Sequence, residues 1–211
     1  MTHKYEATIN IVDDDEAVRR GLSRLLKSAG YEENAFASAQ AFLASDEFRQ
    51  KPACLVLDVQ MPGLNGLDLQ RELQAVRAPL AIVFLTGHGD IPMSVHAIKS
   101  GAADFLTKPV DDADLLRAVE LALTRATAEH AKQLELDAIR RLADTLTPRE
   151  RDVMALVVTG LLNKQIAGEL GTVEKTVKVH RARVMEKMQV KSLADLVRIT
   201  QKFQSAPSRG S

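Results

Sequence analysis

Residues 11–20 read IVDDDEAVRR, an apolar run that stops on three adjacent carboxylates and then passes into a stretch of helix formers. Like charges held this close cost roughly 1 kcal/mol or more per neighbour even at a partly solvated site. One of the three has an ordinary explanation, since an acidic side chain in the first turn of a helix is stabilised by the N-terminal dipole. Asp15 reads as that helix starter. Asp13 and Asp14 have two readings, as further helix starters or as carboxylates that share a cationic partner beyond the end of a strand, and the rest of the chain decides between them.

The same unit, strand then helix, recurs outward from this point. The short strand-like runs INIV, YEENAF, CLVLDV, LAIVFLT and DFLT each give way to an amphipathic stretch, from AVRRGLSRLLKSAG after the first to DDADLLRAVELAL after the fifth. Runs such as AIVFL (81–85) lack polar alternation, as parallel strands covered on both faces do. Gly30 and Gly101 stand where helices end, and Ser38 is placed to cap the helix that follows it. The pattern predicts an open, doubly wound α/β domain with a five-stranded parallel sheet over residues 1–125.

Residues 121–146 contain neither Gly nor Pro and keep helical apolar spacing, so the fifth helix is expected to continue into a helical linker over 126–146. Thr147, Pro148 and Glu150 then form a capping box with a proline start, opening a second, all-helical domain over 147–211. Four amphipathic segments follow, RERDVMALVVTG, NKQIAGELG, EKTVKVHRARVMEKM and SLADLVRITQKF, with Gly160 and Gly171 ending the first two. The closing SAPSRGS is expected to be disordered.

Composition narrows the function classes. The 211 residues, 45% of them apolar, suffice for two cores, and no run approaches the roughly 18 apolar residues a membrane span needs. A soluble, cytoplasmic protein with no membrane partner is expected. The single cysteine, Cys54, lies in an apolar run and reads as a buried small hydrophobe, so no disulfide, redox or zinc chemistry is implied. The zero net charge conceals an asymmetry: residues 1–128 hold 13 Lys/Arg against 18 Asp/Glu, whereas residues 147–211 hold 12 against 6. An acidic front suits a cation, and a basic back suits a polyanion.

In doubly wound sheets ligands bind beyond the carboxyl ends of the strands. The residues there are Asp13 and Asp14, then Asp58, then Thr86 with Gly87, and last Lys108 before Pro109. Taken singly, each has a structural reading as a turn residue, a local cap or a solvated lysine. Together the carboxylates can share a hard divalent cation, and Mg²⁺ fits oxygen ligands best. A free carboxylate beside a metal, an ammonium and a hydroxyl suits phosphoryl transfer, with Asp58 as nucleophile and Gly87 leaving room for the incoming group.

The stretches IVDDDEAVR, VLDVQMPGLNGLDL, VFLTGHGD and GAADFLTKPV together resemble the receiver domain of two-component response regulators, over about residues 6–125. The resemblance implies that Asp58 accepts a phosphoryl group from a partner histidine kinase, and that Asp13 and Asp14 complete its acidic pocket. It further implies that Gln60 offers its backbone carbonyl to Mg²⁺, and that Thr86 and Phe105 are a switch pair. Lys108 matches the phosphate-binding lysine, whose bond to the following proline is cis in relatives. Val110 departs from the phenylalanine many relatives carry after that pair, which bears on the packing of that corner.

The segment LTPRERDVMALVVTGLLNKQIAGELGTVEKTVKVHRARVMEKM resembles the LuxR-type helix-turn-helix, over about residues 145–202. Joined to the receiver, it points to FixJ- and NarL-like regulators of transcription. On the second helix of the motif Val177, Val184 and Met188 follow core spacing, while Thr176, Lys178, Val179 and Ala182 present another face. The resemblance sends Lys178, Val179 and Ala182 to base edges of double-stranded DNA, while Lys164, Lys175, Arg183 and Lys187 are expected at phosphates. Ala182 replaces a basic residue of some relatives and can meet a thymine methyl but not a guanine pair. Val173 stands where serine commonly caps this helix, with Thr172 as the alternative cap, and His180 is either a phosphate contact or a surface residue.

These readings give a transcription factor that dimerises on phosphorylation of Asp58, with RNA polymerase as a further partner. A phosphohydrolase using Asp58 is the competing enzyme reading, and Gln60 weakens it because no acid stands two residues beyond the nucleophile. A phosphorylation-independent DNA-binding regulator is a second competitor. An adaptor that only binds a partner protein is a third, and the basic helix-turn-helix argues against it.

Overall fold

A computed structural model describes residues 8–46, 51–76, 78–87 and 91–204; the opening residues and the closing SAPSRGS lie outside them. Strands β1 (Thr8–Val12), β2 (Glu32–Phe36), β3 (Ala53–Asp58), β4 (Leu80–Thr86) and β5 (Asp104–Thr107) alternate with helices α1 (Glu16–Ser28), α2 (Ala39–Ser45), α3 (Gly66–Ala75), α4 (Ile91–Lys99) and α5 (Asp112–Asp144). The strands form a parallel sheet in the order β2-β1-β3-β4-β5. The winding direction reverses between β1 and β3, which places the crevice between the ends of the two strands that carry Asp13, Asp14 and Asp58.

Both faces of the sheet are covered, which is why its inner strands are almost wholly apolar. Ile9, Ile11, Cys54, Val56, Val83 and Leu85 point to one face and pack with Leu22, Leu26, Leu115, Val119 and Leu123 of α1 and α5. Leu55, Leu57, Ile82 and Phe84 point to the other, against Phe42, Leu69, Leu73 and Ala97 of α2, α3 and α4. Each of the Val, Leu, Ile and Phe side chains among them contributes about 1.5–3 kcal/mol when fully buried. Val110 takes part in the first of these clusters as a half-buried residue. The end signals read from sequence are present: Asp15 accepts from the amides of Ala17 and Val18, and the Ser38 hydroxyl from that of Ala41. Gly30, Gly101, Gly160 and Gly171 all adopt positive φ.

The chain divides into two compact units, Met1–Ala131 and Lys132–Ser211. Residues 126–146, expected as a helical linker, contribute side chains to both cores. Ala126 is buried with the α1/α5 cluster, whereas Ile139 and Leu146 belong to the core of the second unit. That unit adds α6 (Pro148–Val157), α7 (Asn163–Glu169), α8 (Glu174–Lys187) and α9 (Leu193–Gln204) around Val153, Val157, Ile166, Val177, Val184, Met188 and Leu196. Among the described residues no helix is long and apolar enough to cross a membrane.

Candidate functional sites: an acidic pocket and a basic helix

Carboxylate oxygens of Asp13, Asp14 and Asp58 lie within 4.8 Å of one another at the crevice, with Asp13 and Asp58 buried and Asp14 exposed. Lys108, delivered by the end of β5, answers the charge. Its ammonium donates to Asp13 Oδ2 at 2.6 Å and to Asp58 Oδ2 at 3.0 Å, while its backbone amide donates to the Thr86 carbonyl at 2.7 Å. The remaining oxygens accept backbone amides: Asp13 Oδ1 from Asp15 at 2.9 Å, and Asp58 Oδ1 from Gln60 at 3.2 Å. The Lys108–Pro109 bond is cis.

Burial pushes the Asp13 carboxyl above its ordinary range, and the Lys108 and Asp15 bonds only partly oppose this. Burial alone would lower the Lys108 ammonium, but its bonds to Asp13 and Asp58 outweigh that and raise it. A buried carboxyl held partly against its charged form, next to two more carboxylates, is a donor set suited to a hard cation. Asp13, Asp14 and Asp58 are the side chains that would hold one, and the exposed Gln60 stands beside them.

Thr86 is fully buried at the end of β4, and Phe105 is half-buried in β5, its ring 6.1 Å from that of Phe84. Among the described residues, no atom outside its chain neighbours lies within 4 Å of a Cβ built on Gly87. One residue here escaped the sequence reading. A Cβ on Gly66, the first residue of α3, would lie 2.3 Å from the Asp58 carbonyl oxygen, and the Gly66 amide donates to the Val59 carbonyl at 3.0 Å. The signal was Asn65, whose side chain caps α3 by accepting from the Asp68 amide and so fixes Gly66 at the helix start.

On the second unit, the open side of α8 carries Lys175, Lys178, Val179, Ala182 and Arg183, all exposed, and Lys164 is exposed on α7. Lys178 is 65% exposed and only loosely paired to Glu174, at 3.5 Å. Thr176 is half-buried, as is Arg181, which donates to Asn163 Oδ1 at 3.2 Å. His180 is half-buried with its Nδ1 enclosed, so it is not an open surface residue. Neither candidate cap is used: α8 begins after Val173 with no side-chain cap, and the Thr172 amide donates to the Ala167 carbonyl.

Lys187 has partners within the domain that the sequence reading did not foresee. The sequence reading sends it to phosphate, but its ammonium donates to Glu150 Oε2 at 2.6 Å and to the Thr145 carbonyl at 3.0 Å. Glu150 is nearly inaccessible and also accepts from the Thr147 amide at 2.9 Å. A buried carboxylate with one strong cation in reach keeps it. The bonds from Lys187 and from the Thr147 amide hold the Glu150 carboxyl down at about 2.

Known proteins agree with both halves of this geometry. Residues 9–120 match the family "Response regulator receiver domain", and residues 144–200 match "Bacterial regulatory proteins, luxR family". The chain is 48% identical over 196 residues to Nodulation protein W of Bradyrhizobium diazoefficiens, covering 93% of this chain and 86% of that protein. It is 44% identical over 191 residues to Transcriptional regulatory protein FixJ of Azorhizobium caulinodans, covering 90% of each. The solved structure of response regulator StyR is similar with a TM-score of 0.82 and 46% identity, over 94% of this chain and 100% of that one. The family consists of transcription factors rather than enzymes, its receiver implies a histidine kinase as partner and its second domain implies DNA. With an acidic pocket of the kind at which receivers bind Mg²⁺ and a LuxR-type helix-turn-helix behind it, the chain belongs to the FixJ/NarL-like response regulators of two-component systems.

Proposed function

We propose that a phosphoryl group on Asp58 switches this regulator between weak and tight binding of paired DNA half-sites. The observation that carries the proposal is the Lys108 ammonium, bonded at once to Asp13 and Asp58 at the end of the sheet. An Asp58 carboxylate oxygen attacks phosphorus, the bond from phosphorus to the kinase's imidazole nitrogen breaks, and that nitrogen takes up a proton. Lys108 moves with the transferred group and neutralises its oxygens, while the Thr86 hydroxyl donates to one of them. When bound, Mg²⁺ supplies further neutralisation of those oxygens, held by Asp13, Asp14, Asp58 and the Gln60 carbonyl. Phe105 follows Thr86 inward as the second member of the switch.

In this reading, residues 1–125 act as receiver, 126–146 as helical connection and 147–211 as DNA-binding domain. Lys178, Val179 and Ala182 meet base edges, Thr176 stands at the margin of that contact, and Lys164, Lys175 and Arg183 meet phosphates. Dimerisation uses the face of α4, β5 and α5. Ile91, Val95 and Ile98 stand exposed at helical spacing on α4, and an apolar stripe of this kind favours pairing with a second copy. The dimer acts in the cytoplasm, where the bound DNA brings it to RNA polymerase.

Incubation with Mg²⁺ and a small phosphodonor is expected to add one acid-stable, alkali-labile phosphoryl group, detected as a mass increase. Asp58→Asn is expected to remove it. An unchanged mass increase in that variant would place the acceptor elsewhere.

A further inference from the structure

The first turn of α6 reaches the turn of the helix-turn-helix and the far end of its second helix. Arg149 Nη2 donates at 2.5 Å to the carbonyl of Leu170, the residue that ends α7 at the turn. Its neighbour Glu150, only 2% exposed, takes the Lys187 ammonium from the last turn of α8. Lys187 also donates to Thr145, two residues before the capping box begins. The box itself fixes the geometry of this turn, because the Thr147 hydroxyl accepts from the Glu150 amide and Glu150 accepts from the Thr147 amide. Two consecutive side chains on one rigid helical turn therefore hold the turn of the motif and the far end of its second helix.

We propose that Arg149 and Glu150 are positioning residues for DNA recognition: they set the angle at which α8 enters the groove, and Lys187 is the handle by which Glu150 holds it. This rests on the reading of α8 as the helix that meets base edges. Base readout depends on side chains placed to a fraction of an ångström, whereas attraction to phosphates tolerates a tilted helix. Loosening the clamp therefore costs discrimination between sequences and leaves general attraction to DNA intact. A phosphate contact at Lys187 would have the opposite signature, an even loss on every duplex with a shallower salt slope.

The test uses the intact, phosphorylated chain, a duplex enriched by the wild-type protein from a random-sequence pool, and a scrambled duplex of the same composition. Glu150→Gln and Lys187→Gln are each expected to lower the ratio of the two affinities about tenfold, within the range for residues in direct contact. The double variant is expected to be no worse than either single one, because both break the same bond. Lys187→Arg, which keeps charge and reach, is expected to retain the ratio. Affinity for the scrambled duplex, its salt slope and the helical circular dichroism signal are expected to hold. Should Glu150→Gln lose helical signal, Lys187→Gln carries the comparison, because Lys187 is 33% exposed and its loss leaves Glu150 its bond from Thr147. An even loss on both duplexes with Lys187→Gln, or an unchanged ratio in both single variants, would overturn the clamp. Failure of the wild-type chain to enrich any duplex would overturn the reading of α8 itself, and the clamp with it.

Discussion

Two glycines show how much depends on a single hydrogen at the residue scale. Gly66 has the Asp58 carbonyl where its Cβ would be, while Gly21, mid-way along α1 and exposed, has nothing within 4 Å of that position. Gly66→Ala must push the start of α3 away from the Asp58 loop and is expected to lower stability by about 1–3 kcal/mol, the usual cost of overpacking. It is also expected to slow phosphoryl uptake. Gly21→Ala relieves only backbone freedom and is expected to add about 0.5–1 kcal/mol with uptake unchanged. Melting curves and the rate of mass increase for the two variants check both statements; equal behaviour would mean that the α3 contact does not hold Asp58 in place. Asp13, Asp14, Asp58 and Lys108 were legible because strand ends in this architecture converge. Gly66 was not, because close backbone approach leaves no mark on hydrophobic spacing.

At the scale of elements, caps and core faces follow from local pattern. Asp15, Ser38 and the Thr147–Glu150 box do what short-range spacing expects, and Val177, Val184 and Met188 are buried as their periodicity requires. Lys187 shows the limit of such reading. A helical wheel places a cation on a basic helix, but its partner stands 37 residues earlier in the chain. The linker shows the same limit, because periodicity marked a helix over 121–146 without showing which core Ile139 and Leu146 would join. The Glu150 pair also has a pH signature. Its carboxyl is lowered from 4.5 to about 2 by Lys187 and the Thr147 amide, so its contribution is fully present above about pH 4.5 and is lost as pH falls through 2. The difference in melting temperature between wild type and Glu150→Gln is therefore expected to be widest above pH 5 and to narrow steadily toward pH 2. A difference constant across that range would show that the ionised pair contributes nothing to the stability of the second unit.

At the scale of the whole molecule, the charge asymmetry of the sequence resolves into two compact units with separate chemistry. The acidic unit holds a pocket suited to a cation and a phosphoryl group, and the basic unit carries exposed cations on α8. The central claim is that the first governs the second through Asp58. Coupling of this kind requires phosphorylation to favour one state by a definite free energy, and under the proposal pairing of two chains would supply it by adding a second recognition helix to the same duplex. The direct measurement is titration of an enriched duplex at fixed salt with the intact chain, before and after phosphorylation, with molecular mass followed by light scattering and Asp58→Asn as control. The expected result is affinity at least about tenfold higher after phosphorylation, a coupling of ordinary size, with a mass that doubles and an Asp58→Asn variant that responds in neither respect. Equal affinity and unchanged mass in the two states would contradict the claim and leave a DNA-binding regulator that works without phosphorylation.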